Sequence, residues 1–271
     1  VSLPPIPPEL REDRGEIATA AEGRLPDLVA ESDVRGDLHT HSDWSDGGNS
    51  ISEMVQSAME FGHEYVCLTD HASGPGIPGG TGLNDDELRE QMAEIETVRE
   101  EVSGVGTEIE VLHGVEANVD SEGGISVSDD LLADLDLVVA SPHSGLDGDG
   151  TERIVEAISH PDVDIIGHPT GRQLGRRPGM DLDVDRVAAA AVEHGTALEV
   201  NANPRRLDLR GSAVKAAIEA GAVVVIDTDA HRPADYSLVR YGVHTARRGW
   251  AEASDVLNTW VYDDLRVFLD E

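Results

Sequence analysis

The sequence predicts an α/β barrel of parallel strands, and three observations carry that prediction. Seven short apolar, β-branched segments recur between residues 34 and 227, most of them separated by a stretch with helical periodicity. A length of 271 residues suits one such barrel or two small domains. Histidine or a carboxylate follows the apolar segments in GDLHTHSDWSDG, LTDHA, GVEAN, ASPHS, GHPTG and DTDAH, and parallel barrels carry their functional groups at strand C-termini.

Residues 1–33 stand apart. VSLPPIPP holds four prolines in eight residues, and GEIATAAEGRLPDLVAE follows with room for one or two short helices. A proline-rich start reads as a linker from an upstream domain, leaving 34–271 as the barrel. A first residue of Val instead of Met is compatible with a fragment of something longer.

From Val34 the candidate strands are Val34–Leu38, Tyr65–Thr69, Ile109–Gly114, Leu135–Ala140, Val163–Gly167, Ala197–Val200 and Val223–Asp227. Ser50 to Glu53 form a capping box, after which Ile51, Met54, Val55 and Ala58 share a helix face. Asn84 caps the next helix, with Leu88, Met92, Ile95 and Val102 on one side. Asp183–His194 and Ser212–Ala220 are alanine-rich helices ended by glycine. Seven β/α units are one short of the usual eight. The run ASGPGIPGGTGL, Ala72–Leu83, has five glycines directly after His71 and is a candidate active-site loop.

Hydrophobic residues make up 39% of the chain but aromatics only 3%, so Ala, Val, Ile and Leu must fill the core. The formal net charge is −34, from 54 acidic and 20 basic residues, and lysine occurs once, at Lys215. The acids are dispersed among periodic apolar segments, unlike those of a disordered acidic tail. Adaptation to a very salty cytoplasm explains this surface. At molar salt the Debye length is about 3 Å, so the net charge does not exclude a nucleic-acid substrate. Cys67, the lone cysteine, lies in the apolar run YVCLTD and reads as buried and inert. No segment reads as a signal peptide or membrane span, the longest apolar run lying around Ala222–Ile226. A cytoplasmic location is expected.

His39 and His41 follow the first segment, and in an extended chain residues i and i+2 point the same way. Asp46 lies in a WSDGG turn that can fold it back toward them. His71, Glu116, His143, His168, Asp229 and His231 follow later segments in the same register. Zinc takes four protein ligands in a structural site, or three with water in a catalytic one. Nine donors therefore fit two or three ions, with a carboxylate such as Glu116 bridging. Mixed imidazole and carboxylate suit Zn, Mn or Fe better than Mg or Ca. His63, His113, His160, His194 and His244 fall before strands, within them or on helices and read as structural.

Arginine is scarce yet clustered. Arg172, Arg176 and Arg177 follow the His168 motif, Arg205, Arg206 and Arg210 follow the sixth strand, and Arg232 adjoins His231. Guanidinium groups kept beside metals on an acidic protein point to an anionic, phosphate-bearing substrate. Asn201 ends the sixth strand and faces the same end.

In this order the motifs resemble the PHP (polymerase and histidinol phosphatase) superfamily. PPELREDRGEI, GDLHTHSDWSDG, YVCLTDHA, GHPTGR, LEVNANPRRLDL, DTDAH and ARRGW are similar to the C-terminal PHP domain of bacterial and archaeal family X DNA polymerases. The likeness spans essentially the whole chain. It implies a distorted (β/α)7 barrel with a trinuclear site at the strand C-terminal ends. His39, His41, Glu116 and Asp229 would hold one ion, Glu116, His143 and His168 a second, and Asp46, His71 and His231 a third. It also implies Mn- or Zn-dependent 3′–5′ exonuclease and 3′-end phosphatase activity on DNA, beside an upstream polymerase domain. No helix-hairpin-helix and no polymerase palm precedes Val1, so DNA synthesis is not expected of this chain by itself.

The expected chemistry is attack on phosphorus by a metal-activated hydroxide. Glu116 and Asp229 lie at its centre, and Arg172 with Arg205 or Arg206 holds flanking phosphate charge. A small-molecule phosphatase, acting on histidinol phosphate or nucleotide phosphates, shares every ligand. A non-catalytic, metal-stabilised docking domain of a polymerase is a third reading. An amidohydrolase would need a strand-end lysine, whereas Lys215 falls mid-helix.

Overall fold

Seven parallel strands pair in sequence order in the computed structural model, which describes residues 3–77, 80–103 and 109–270. They are β1 Gly36–Thr40, β2 Tyr65–Leu68, β3 Glu110–Asn118, β4 Leu137–Ser141, β5 Ile165–Ile166, β6 Ala197–Glu199 and β7 Val224–Val225. The sheet curls with helices between its strands, as the seven expected β/α units require. Val1, Ser2 and, in the glycine-rich loop, Pro78 and Gly79 lie outside the described residues.

β3 extends past its expected end at Gly114. Its first half pairs with β2, Tyr65 facing Glu110 and Leu68 facing His113, while its second half, Gly114 to Asn118, pairs with Leu137 to Ser141 of β4. That stagger is the shear a curled sheet needs, and it sets Glu116 within a strand instead of after one. β5 and β7 are shorter than expected, because the ladder stops where the chain bends into the ligand motifs. His168 and Asp229 both adopt positive φ, 28° and 55°.

The intervening helices cover the sheet. α1 (Glu16–Ala21) precedes the barrel, and α2 (Ile51–Phe61) starts on the expected capping box, with Glu53 N–H donating to Ser50 Oγ at 3.3 Å and Ser50 N–H to Glu53 Oε2 at 3.1 Å. α3 (Asp85–Ser103) is capped by Asn84 Oδ1, which accepts from the N–H groups of Asp86 and Glu87. Its buried face is Leu88, Gln91, Ile95 and Val98, so Gln91 takes an inward place that periodicity gave to Met92. Gln91 is buried because it hydrogen-bonds Asp70 and His113. α4 (Asp129–Leu132) and α5 (Thr151–Ile158) follow β3 and β4. α6 (Val184–His194) is capped by Asp183 and ends at left-handed Gly195, and α7 (Gly211–Glu219) carries Lys215 paired to Glu219. α8 (Val239–Arg248) and α9 (Tyr262–Leu269) complete the chain.

Inside the curl, Leu38, Tyr65, Cys67, Leu112, Leu137, Val139, Ile165, Ala197 and Val225 form an apolar plug with Leu257 and Leu265 from the C-terminal segment. Burial pushes the Cys67 thiol pKa well above its ordinary value. The seam between β1 and β7 is closed largely by side chains. Leu38 N–H donates to Asp227 Oδ1 (2.8 Å), Thr228 donates to Asp37, and Thr40 bridges Ala230. Asn258 fills the rest, donating to Gly36 O (2.8 Å) and Ile226 O (2.6 Å) and accepting from Ile226 N–H (3.1 Å).

The proline-rich arm lies against α8. Leu10, Ala20 and Val29 are buried, Arg247 Nε donates to Glu9 at 2.7 Å and Arg247 Nη1 to Val29 O at 2.9 Å. Among the described residues, no helix is long and apolar enough to cross a membrane.

Candidate metal centre

The curl brings the nine predicted donors, dispersed over 193 positions from His39 to His231, to one end. Glu116 is the hub. Its Oε1 lies 2.9 Å from His168 Nε2, 3.3 Å from His143 Nε2 and 3.4 Å from His39 Nε2. Its Oε2 lies 2.6 Å from His71 Nδ1 and 3.6 Å from His41 Nε2. Three overlapping clusters surround it, His39–His41–Asp229, His71–Glu116–His143 and His41–Asp46–His71–His231, the ligand atoms within each lying within 4.8 Å of one another. His168 reaches the group through Glu116.

Divalent ions fit this donor set. His39 Nε2, both ring nitrogens of His41, His143 Nε2 and both Glu116 oxygens are buried without a hydrogen-bond partner. Buried polar atoms are ordinarily satisfied, so converging orphans of both ligand types mark a cation site. The outward ring nitrogens are held in place, as ligating histidines require. His39 Nδ1 meets Glu199 Oε1 at 2.7 Å, His143 Nδ1 meets Asn118 Oδ1 at 2.8 Å, and His231 Nδ1 meets Asp229 O at 2.8 Å.

The electrostatics divide the donors. Burial alone would raise Glu116 and Asp229, but the surrounding imidazoles hold both carboxyls well below their usual range. Asp46 is likewise driven to about 2, burial being outweighed by the His231 hydrogen bond and the His71 and His231 charges. Burial lowers His41 to about 4, helped by His231 and His71, and lowers His168 to about 3, helped by Arg206. His231 moves the other way, to about 9, because its Asp46 hydrogen bond and the Asp229 charge overcome burial. Ionised carboxylates and neutral imidazoles are the forms that bind metal, so the carboxylates, His41 and His168 stand in ligating form, whereas His39, His71 and His231, raised by neighbouring carboxylates against burial, would release a proton on binding.

Support for the centre comes from neighbouring loops. Asp70 accepts from Ser42 N–H (2.8 Å), Ser42 Oγ (2.6 Å) and Ser45 Oγ (2.5 Å), folding the turn that carries Asp46 back toward His71. In the glycine-rich loop, Gly76 adopts φ +96° so close to His143 that a Cβ would fall 2.6 Å from its carbonyl oxygen.

The arginines divide. Arg206 Nε lies 3.4 Å from Asp229 Oδ2, with Nη1 buried and unpartnered. Arg205, Arg206 and Arg232 line an open cleft of about 900 Å³ with Asp46, Asp229 and His231. Arg172 is placed differently from the expectation. Its guanidinium donates to the carbonyls of Arg206 and Leu207, and it lines a separate small pocket with Thr170 and Asp208. Its charge thus braces the loop that presents Arg206.

Among the other histidines, His63 is buried beside Phe61 and Tyr236, and His113 meets Gln91 at 3.1 Å. His160 lies between Asp129 and Asp162, His244 lies near Glu9, and His194 sits in the last turn of α6. None of the five belongs to the three clusters. Glu199 and Asn201 are the polar residues that motif reading passed over or left without a role. An acid inside the apolar run ALEVN, two residues before Asn201 and on the same face, was the available signal.

Comparison with known proteins agrees with this geometry. The PHP domain family matches residues 37–203. The DNA polymerase/3′-5′ exonuclease PolX of Bacillus subtilis (strain 168) is 39% identical over 270 residues, which is 98% of this chain and 46% of that protein. The chain thus spans under half the length of that relative. A protein of Caldanaerobacter subterraneus subsp. tengcongensis named "Probable phosphatase" is 34% identical over 72% of this chain and 75% of its own. The crystal structure of histidinol phosphate phosphatase from Lactococcus lactis, complexed with zinc, L-histidinol and phosphate, shares the fold, with a TM-score of 0.59 at 19% identity over 79% of this chain and 92% of that one. With the family matched over most of the chain and its donors assembled at the strand ends, this chain belongs to the PHP domain family and is a metal-dependent phosphoester hydrolase.

Proposed function

We propose that this chain removes nucleotides or terminal phosphate from DNA 3′ ends, as the PHP domain of a family X polymerase. The observation that carries the reading is the cleft leading to Asp46, Asp229 and His231, walled by Arg205, Arg206 and Arg232 in a chain of net charge −34. Guanidinium groups retained against that background select an anion, and a cleft of about 900 Å³ accommodates more than one phosphoryl group. The match to PolX over nearly the whole chain supports DNA over a small ester. On this reading residues 1–33 connect the barrel to an upstream polymerase unit.

The nine donors would hold two or three ions of Zn, Mn or Fe, with Glu116 shared between them. Such ions supply Lewis acidity toward phosphoryl oxygens and make bound water acidic near neutral pH. Arg206 orients a non-bridging oxygen through its free Nη1, while Arg205 and Arg232 hold charge farther along the cleft. Asp229 and Glu116 stay ionised throughout, because the imidazoles around them hold their pKa values down.

The test is a 5′-labelled single-stranded oligonucleotide incubated in molar KCl with Mn²⁺, beside His168→Ala. A ladder shortening from the 3′ end, lost in the variant, is expected. The second reading, a phosphatase for small monoesters, rests on the "Probable phosphatase" relative. An intact oligonucleotide together with turnover of small phosphate monoesters would favour it.

A further inference from the structure

Glu199 is wholly buried in β6, yet it belongs to none of the three donor clusters. Its two oxygens face different ligands. Oε1 lies 2.7 Å from His39 Nδ1. Oε2 accepts from the backbone N–H of His168 and from Asn201 Nδ2 at 3.2 Å, and the same Asn201 nitrogen lies 3.1 Å from Asp229 Oδ2. The carboxylate therefore touches one ligand side chain, fixes the backbone of a second and is linked through an amide to a third.

We infer that Glu199 is a positioning residue that selects the metal-binding tautomer of His39. One proton lies between Glu199 Oε1 and His39 Nδ1. A carboxylate oxygen can only accept, so the 2.7 Å contact is made by an Nδ1–H of His39. The Nε2 lone pair then points toward Glu116, 3.4 Å away, where a divalent ion would bind. Asn201 and the His168 N–H occupy Oε2 as donors, so that oxygen cannot become a donor itself. An amide at this position fails in both orientations. With its NH₂ toward His39, it forces the proton onto Nε2 and removes the ligand. With its NH₂ toward Asn201 and His168, it sets donors against donors.

The inference rests on the reading of this centre as metal-loaded, and its test separates the two. Protein stripped with a chelator is reloaded with Zn²⁺, desalted and analysed for zinc per chain. Glu199→Gln should hold about one ion fewer than wild type, or bind it about 10- to 100-fold more weakly, the range typical of losing such a support. His39→Ala should show the same deficit, and the double variant should lose no more than either single one. Metal-free melting of Glu199→Gln should match wild type, which a merely structural role would not allow. Independently of any Glu199 variant, nitrogen-15 spectra of zinc-loaded, histidine-labelled wild type should show His39 protonated at Nδ1, its signal assigned by its absence from His39→Ala. A full zinc complement in Glu199→Gln, or an Nε2-protonated His39, would overturn the inference. A wild-type protein that takes up no zinc would overturn the metal reading beneath it.

Discussion

Asp164, one residue before β5, illustrates what a buried carboxyl does away from the centre. It accepts from Val138 N–H at 2.7 Å, and burial, reinforced by the Asp162 charge, pushes its pKa up to about 7. The folded chain therefore keeps a proton that the unfolded chain releases near pH 4, and this contribution to stability is lost as pH rises from about 4 through 7. Asp164→Asn keeps an acceptor but does not titrate. It should be more stable than wild type at pH 8, by up to about 4 kcal/mol, and lose that advantage at pH 4. Chemical denaturation at both pH values measures this, and a difference independent of pH would refute it. Sequence could not single out Asp164, because burial depends on what packs over a residue. The nine donors were legible for the opposite reason, since each sits in a motif after an apolar segment. That Arg172 turns away from the cleft, leaving Arg205 and Arg206 there, needed the loop path, where backbone carbonyls of residues 206 and 207 capture Arg172.

At the scale of elements, the strands and the main helices followed from periodicity and caps, as with Ser50–Glu53 and Asn84. Strand lengths did not. The extension of β3 arises from pairing with two neighbours at different registers, which no local pattern encodes. The seam was equally invisible, because Asn258 lies in a short segment without periodicity, 222 residues from Gly36. Asn258→Ala would remove three buried hydrogen bonds and leave Ile226 N–H, Ile226 O and Gly36 O short of partners. At about 1 kcal/mol per bond, with more for stranded groups, the expected destabilisation is about 3 kcal/mol. Urea denaturation of the metal-free protein reads it, and a loss below about 1 kcal/mol would show that other groups hold the seam.

For the whole molecule, the charge of −34 sets the conditions under which the fold is comfortable. Repulsion among surface carboxylates opposes compaction at low ionic strength and is screened at molar salt. The melting temperature should therefore rise by several degrees between 0.1 and 2 M KCl in a calorimetric scan. A flat or falling trend would remove the argument for adaptation to salt. The seam has a consequence for biosynthesis as well. The His39–His41–Asp229 cluster straddles it, with two donors following β1 and the third following β7. On the ribosome, β1 to β7 emerge before Asn258, so the contacts of Asp37, Leu38 and Thr40 across the seam become available before those of Asn258. The three seam bonds of Asn258 can form only once residue 258 has cleared the exit tunnel, so full closure between the strands that bear these donors is a late event in the folding of each new chain.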